Sequence, residues 1–168
     1  MPRANKRNFF AVFFHFLSLT RLKNPYLKLL LVYLAGAVTV LGFAPFYLFP
    51  VPVMTLAWLL ALCHKNRNPL KNAALGFSFG MGLFSAGVTW IYVSLHDFGA
   101  MPVPVAVVAL IVLCAYLSLF PAFCCWLLAK LRPASALLWA ALAAALWMLS
   151  EWLRGTLFTG FPWLALGY

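Results

Sequence analysis

The stretch that decides the fold is VPVAVVALIVLCAYLSLFPAFCCWLLA, residues 103–129, which contains no charged residue. A run of roughly 20 apolar residues is long enough to cross a bilayer as a helix. The rest of the chain has the same character, because 66% of the 168 residues are hydrophobic, 8% are charged and the mean hydropathy is +0.99. Soluble domains are about one quarter charged, so the composition predicts an all-α integral membrane protein.

Similar apolar segments lie on both sides of this stretch, separated by short basic or proline-containing connections. Together they predict about five transmembrane helices: Leu27 to Ala44, Val51 to Cys63, Ala73 to Leu95, Val103 to Ala129 and Ala136 to Leu153. The segment from 26 to 168 is therefore expected to form one polytopic membrane domain. Residues 1–25 combine basic residues with a short apolar run, Phe9–Thr20, which is typical of a helix lying in the membrane interface.

The net charge of +10 has a one-sided distribution. With five spans, eleven of the twelve Lys and Arg residues fall in the N-terminal region and in the loops 64–72 and 130–135, on one side of the membrane. Arg154 and both acids, Asp97 and Glu151, fall on the other side. Short basic loops remain in the cytoplasm, so the N-terminus is predicted to be cytoplasmic. The basic residues are too scattered among apolar runs to form a nucleic-acid site.

The chain offers few residues for chemistry. None of the motifs typical of phosphate binding, serine hydrolases or zinc peptidases is present, and no metal site or cofactor is expected. The four cysteines are interpreted as small buried apolar side chains: Cys63, Cys114, Cys124 and Cys125. Thus the residues themselves indicate no catalytic centre.

Two other patterns have competing interpretations. Gly76, Gly80, Gly82 and Ala86 place small residues at helical spacing, which favours close helix packing. Glu151 and Arg154 are three residues apart, so they share a helix face and can pair. Such a pair either anchors the end of the helix or marks a functional site within the membrane.

Six short strings occur in an order and spacing that carry a resemblance: GFAPF (42–46), WIYVS (90–94), FGAMP (98–102), AYLSL (115–119), EWLRG (151–155) and TGFPWLALGY (159–168). Together they resemble the N-terminal membrane region of the bacterial apolipoprotein N-acyltransferases. The resemblance covers about Leu30 to Tyr168 and leaves residues 1–25 outside.

The resemblance implies an enzyme of the inner membrane of Gram-negative bacteria. The family moves an acyl chain from a phospholipid, typically phosphatidylethanolamine, to the N-terminal diacylglyceryl-cysteine of an apolipoprotein. It does so through a Cys thioester with a Glu base and a Lys that stabilises the oxyanion. That set belongs to a nitrilase-like periplasmic domain beyond the region of resemblance, so no catalytic residue is transferred and this chain alone is expected to be an inactive fragment.

The resemblance also implies that the periplasmic ends of the spans form the entrance for both lipid substrates. The residues predicted to shape it are Trp90, Tyr92, Glu151, Arg154, Phe161, Pro162, Trp163 and Tyr168. Two alternatives are a small multi-pass transporter subunit and a membrane scaffold that docks a separate periplasmic domain. A transporter would be expected to show polar residues near the bilayer midplane and an internal repeat, and neither is evident apart from Glu151 and Arg154 near one end of the spans.

Overall fold

The computed structural model describes residues 24–166, except for the side chain of Thr159. Within this range the chain is helical and contains no strand. The helices are α1 (Pro25–Thr39), α2 (Pro50–Lys65), α3 (Pro69–Gly87), α4 (Trp90–Val93), α5 (Val103–Leu131) and α6 (Ala136–Thr156). The interfacial helix predicted within 1–25 lies almost entirely outside the described residues.

Helix starts follow from the local sequence. Asn24 accepts hydrogen bonds from the backbone N–H of Tyr26 (3.0 Å) and Leu27 (3.3 Å) at the start of α1. Asn68 does the same for the first turn of α3. Each Asn is followed by a proline at the first helical position. A backbone N–H at that position would have no acceptor within the helix, so proline costs no hydrogen bond there.

The predicted all-α membrane architecture is confirmed, with fewer unbroken spans than expected. Among residues 24–166, three helices are long and apolar enough to cross a membrane, namely α1 with its following 3₁₀ turn, α5 and α6. The bent pair Pro69–Gly87 and Trp90–Phe98 makes a fourth if it is counted as one span. The remaining predicted span corresponds to α2, a shorter apolar helix.

The span predicted from Ala73 to Leu95 is not a single continuous helix. The helix breaks after Gly87, and the two parts meet at an angle of 53°. Val88 leaves the helical region of backbone space. The side chain of Leu164 fills the space that a Cβ at Gly87 would need. The C-terminal segment therefore packs into the break.

Helix α3 lies between α1 and α5 and touches both through its small residues. A Cβ at Gly82 would overlap the backbone carbonyl of Tyr33 in α1. On the other side, a Cβ at Gly80 would lie 2.8 Å from Cγ of Pro121 in α5, and one at Gly76 would overlap the Pro121 carbonyl. The interpretation of the glycines as packing residues is therefore confirmed.

Polar side chains also link the helices. The hydroxyls of Thr39 and Thr55 are 2.7 Å apart and join α1 to α2. Ser78 of α3 donates to the carbonyl of Leu29 in α1 (2.7 Å). Such bonds stabilise helix pairs where lipid supplies no competing partners.

Side-chain contacts show which helix ends lie together. Arg132, after α5, donates to the carbonyls of His64 (3.0 Å) and Asn66 (3.3 Å), at the end of α2. The His64 and Trp139 rings, with centroids 4.8 Å apart, bring the start of α6 to the same place. We call this end of the bundle, with Lys28, Lys65, Arg67, Lys71, Lys130 and Arg132, the basic end.

The opposite end collects the two acids and an aromatic cluster. The Arg154 guanidinium carbon of α6 lies 5.3 Å from the centroid of the Phe84 ring of α3. We call this end, which carries Trp90, Asp97, Glu151, Arg154 and Trp163, the aromatic end. The segregation of charge predicted from the loops is thus present in the packed helices.

Candidate substrate-entrance site

Arg154 holds the segment that follows α6. Its side chain is buried, with 3% of the residue's surface exposed. Nη1 donates to the carbonyl oxygens of Phe161 (2.7 Å) and Trp163, and the Phe161 N–H donates back to the Arg154 carbonyl (2.9 Å). A buried guanidinium needs such partners, because an unpaired charge in a membrane protein is costly. Residues 157–166 are consequently folded back against the helix end.

Glu151 fixes the same segment at a second point. Its Oε1 accepts hydrogen bonds from Nε1 of Trp147 (3.0 Å) and from the backbone N–H of Leu166 (2.8 Å). Glu151 and Arg154 therefore form a two-point clasp around the segment 160–166, which we call the clasped loop.

The expected ion pair between Glu151 and Arg154 does not form. Within residues 24–166, the acid that lies at ion-pair distance from a basic side chain is Asp97, which is 4.0 Å from His96. The i, i+3 spacing places Glu151 and Arg154 on one side of α6, but each side chain instead satisfies backbone groups of the loop, which need partners when buried. The two charges therefore position the loop rather than each other.

Aromatic rings cover the clasped loop. The ring centroids of Trp90 and Trp163 are 6.1 Å apart, and those of Phe161 and Trp163 are 6.0 Å apart. Trp90 is 47% exposed and Trp163 is 54% exposed, while Pro162 is also exposed. The loop thus presents half-exposed indole rings beside the helix ends, as in the aromatic belts of membrane proteins.

The structure brings together most of the residues predicted from sequence, but not all of them. Trp90, Glu151, Arg154, Phe161, Pro162 and Trp163 lie in the clasp or its aromatic cover. Tyr92 stands apart, with its ring against His96 at 5.6 Å. His96 in turn makes a 2.8 Å hydrogen bond to the Met101 carbonyl. Tyr168 lies outside the described residues.

Three participants were missed by sequence reasoning. Phe84 lies under the Arg154 guanidinium, and Trp147 donates to Glu151. Phe158 packs edge-on against Tyr116 of α5, with ring centroids 5.9 Å apart. Trp147 lies four residues before Glu151, so helical spacing could have identified it. The other contacts join distant segments and leave no local signal.

Within residues 24–166, the site presents groups suited to binding. Its side chains are aromatic rings, a buried guanidinium and a carboxylate that already accepts two hydrogen bonds. The four cysteines are buried in α2 and α5. In the part of the chain that the structure describes, no three His, Cys, Asp or Glu side chains lie close enough to hold a metal ion.

Comparison with known sequences agrees with these features. The family model described as "Apolipoprotein N-acyltransferase N-terminal domain" matches residues 35–168. The chain belongs to the apolipoprotein N-acyltransferase family. The match includes every residue predicted to shape the entrance and begins a few residues after the start of the predicted resemblance.

Individual apolipoprotein N-acyltransferases are similar over most of this chain. The protein from Nitrosomonas europaea is 58% identical over 145 residues, covering 86% of this chain and 29% of that protein. The protein from Coxiella burnetii is 45% identical, covering 82% and 29%, and that from Vibrio parahaemolyticus is 42% identical, covering 88% and 28%. The chain therefore spans less than one third of these apolipoprotein N-acyltransferases.

Proposed function

We propose that this chain supplies the membrane-embedded part of an apolipoprotein N-acyltransferase. The activity would transfer an acyl chain from a phospholipid of the phosphatidylethanolamine type to the N-terminal diacylglyceryl-cysteine of an apolipoprotein. The catalytic groups would come from a part of such a protein that this chain does not cover, since the chain spans less than one third of its relatives. The chain's own contribution is to admit and orient the two lipid substrates at the aromatic end.

The clasped loop is the observation that carries this proposal. Glu151 and the buried Arg154 hold a short loop in place, and the loop displays Trp163 beside Trp90 at the end of the spans. Indole rings at a membrane interface contact both acyl chains and headgroups. A rigid loop positions them without the entropic cost of ordering a mobile one.

The proposal includes an orientation in the inner membrane. With eleven of twelve basic residues in the N-terminal region and two loops, the positive-inside rule favours a cytoplasmic basic end. The aromatic end then faces the periplasm. This is where an acceptor that has already crossed the membrane would meet the entrance.

A chimera tests the proposal. The chain is joined in frame to the remainder of the Nitrosomonas europaea protein and expressed in cells depleted of their own apolipoprotein N-acyltransferase. We expect growth and N-acylated lipoproteins, which mass spectrometry of lipoprotein N-terminal peptides detects. Trp163→Ala should lower the acylation rate about 3- to 10-fold, the effect of roughly 1 kcal/mol of lost aromatic contact.

Trp152→Ala is the matched control. Trp152 lies at the same end of the bundle and is 62% exposed, but its indole is not part of the Trp90–Trp163 cluster. We expect this variant to acylate at the normal rate. Normal acylation by a folded Trp163→Ala protein, or equal losses in both variants, would contradict the proposed entrance.

A further inference from the structure

A pocket of about 450 Å³ lies at the basic end, far from the clasped loop. It is bounded by the start of α1, the end of α2 and the start of α3. Three lysines line it, namely Lys28, Lys65 and Lys71. Its inner wall is apolar and includes Leu62 and Leu75, which are 3% and 4% exposed.

Neither acidic side chain of the protein lies near Lys28 or Lys71. The sequence contains only two acidic residues. Asp97 lies beside His96 and Glu151 accepts hydrogen bonds in the clasp, both at the aromatic end. Like charges at a low-dielectric boundary repel one another more strongly than in water, so the pocket is complementary to an external anion.

The rim of the pocket is fixed by hydrogen bonds. Asn72, whose side chain is completely buried, donates to the carbonyls of Cys63 (3.0 Å) and Asn66 (3.3 Å). Arg132 donates to the same carbonyl of Asn66 (3.3 Å). The turn between α2 and α3, which follows Lys65, is therefore held by two side chains, and the pocket is present without a ligand.

We propose that this pocket binds the phosphate-bearing headgroup of an anionic phospholipid. The lysines match the phosphate charge, and the leucine wall at the end of the spans matches the first carbons of an acyl chain. A free phosphate ion would use the lysines alone and would leave the apolar wall without a partner. Basic pockets between membrane helices are suited to such headgroups. This site is independent of the proposed transferase function, since it lies at the opposite end of the bundle.

Thermal unfolding of the full chain in mixed micelles tests the site. Phosphatidylglycerol is titrated into a neutral detergent, with phosphatidylcholine as the comparison lipid of zero net charge and sodium phosphate as the free anion. We expect phosphatidylglycerol alone to raise the unfolding midpoint, by mass action on the folded state. Equal shifts with phosphatidylcholine, or a full shift with sodium phosphate, would overturn the assignment to an anionic lipid.

Charge-matched variants locate the effect. Lys28→Gln with Lys71→Gln should weaken the apparent affinity for phosphatidylglycerol at least tenfold, whereas Lys28→Arg with Lys71→Arg should retain it. Arg67→Gln with Lys130→Gln removes the same charge from the same end outside the pocket lining and should leave the affinity within about twofold. Equal weakening by this control pair would show a general charge effect and contradict the proposal.

The unsubstituted protein provides a test that does not depend on variant folding. Raising the salt concentration to about 1 M shortens the Debye length to about 3 Å, so the shift caused by phosphatidylglycerol should fall by at least half. A shift that is unchanged in high salt would exclude the lysines as its cause.

Discussion

At the scale of single residues, Arg154 is the charged side chain that the described part of the chain buries. It is a buried cation near the end of a membrane-spanning helix, and its partners are two carbonyl oxygens of the clasped loop. The Phe84 ring lies against the guanidinium and adds an attractive contact with its face. The fold of the loop and the burial of this charge therefore depend on each other.

Replacing Arg154 should destabilise the protein measurably. Arg154→Leu leaves the carbonyls of Phe161 and Trp163 without their donor, a loss of about 1–3 kcal/mol. Arg154→Lys keeps the charge but not the planar fork and should lose less. Thermal unfolding in detergent measures both, with exposed Arg67→Leu as a control that should change little. Equal stability of Arg154→Leu and the parent protein would contradict the clasp.

Glu151 and Arg154 were identifiable from the sequence, but their partners were not. Helical spacing shows that two side chains share a face, but it gives no information on a loop whose contacts lie 7 to 15 residues further along the chain. Trp147 lies one turn before Glu151, so the same helical spacing could have predicted this contact. Phe84 and Leu164 were not, because their contacts join segments distant in sequence.

At the scale of the elements, α3 organises the bundle through its two faces. Gly76 and Gly80 allow α5 to approach closely at Pro121, and Gly82 allows α1 to approach closely at Tyr33. Ala86 continues the same spacing in the sequence but is exposed. The pattern of small residues therefore predicted close packing correctly and extended one position too far.

This difference gives a matched pair of substitutions. Gly82→Leu forces α1 away from α3, and overpacking of this kind costs about 1–3 kcal/mol or more. Ala86→Leu adds the same side chain at an exposed position of the same helix and should be tolerated. Chemical unfolding in detergent compares the two variants. If Gly82→Leu is no less stable than Ala86→Leu, α1 and α3 do not pack backbone to backbone at Gly82.

The helices were predictable because hydropathy and helix-start signals are local. The apolar runs predicted the first residues of α1, α3 and α5 to within a few positions. The break after Gly87 was not predictable, because the side chain that packs there, Leu164, arrives from the far end of the chain. Hydropathy continues through the break without interruption.

At the scale of the whole molecule, charge divides the bundle into two ends with different proposed ligands. The basic end carries the pocket of Lys28, Lys65 and Lys71, and the aromatic end carries the clasped loop. The proposed substrate entrance requires that the aromatic end face the periplasm, where the resemblance places the catalytic domain. The orientation of the bundle is therefore decisive for the proposed function.

Thiol labelling from one side of the membrane measures this orientation directly. Phe98→Cys places a thiol at the aromatic end, where Phe98 is 85% exposed, and Ser135→Cys places one at the basic end. The four native thiols are buried and give little background. In intact spheroplasts, a membrane-impermeant maleimide should label Phe98→Cys and should reach Ser135→Cys only after lysis. Labelling of Ser135→Cys in intact spheroplasts, with protection of Phe98→Cys, would place the clasped loop in the cytoplasm and contradict the proposed entrance.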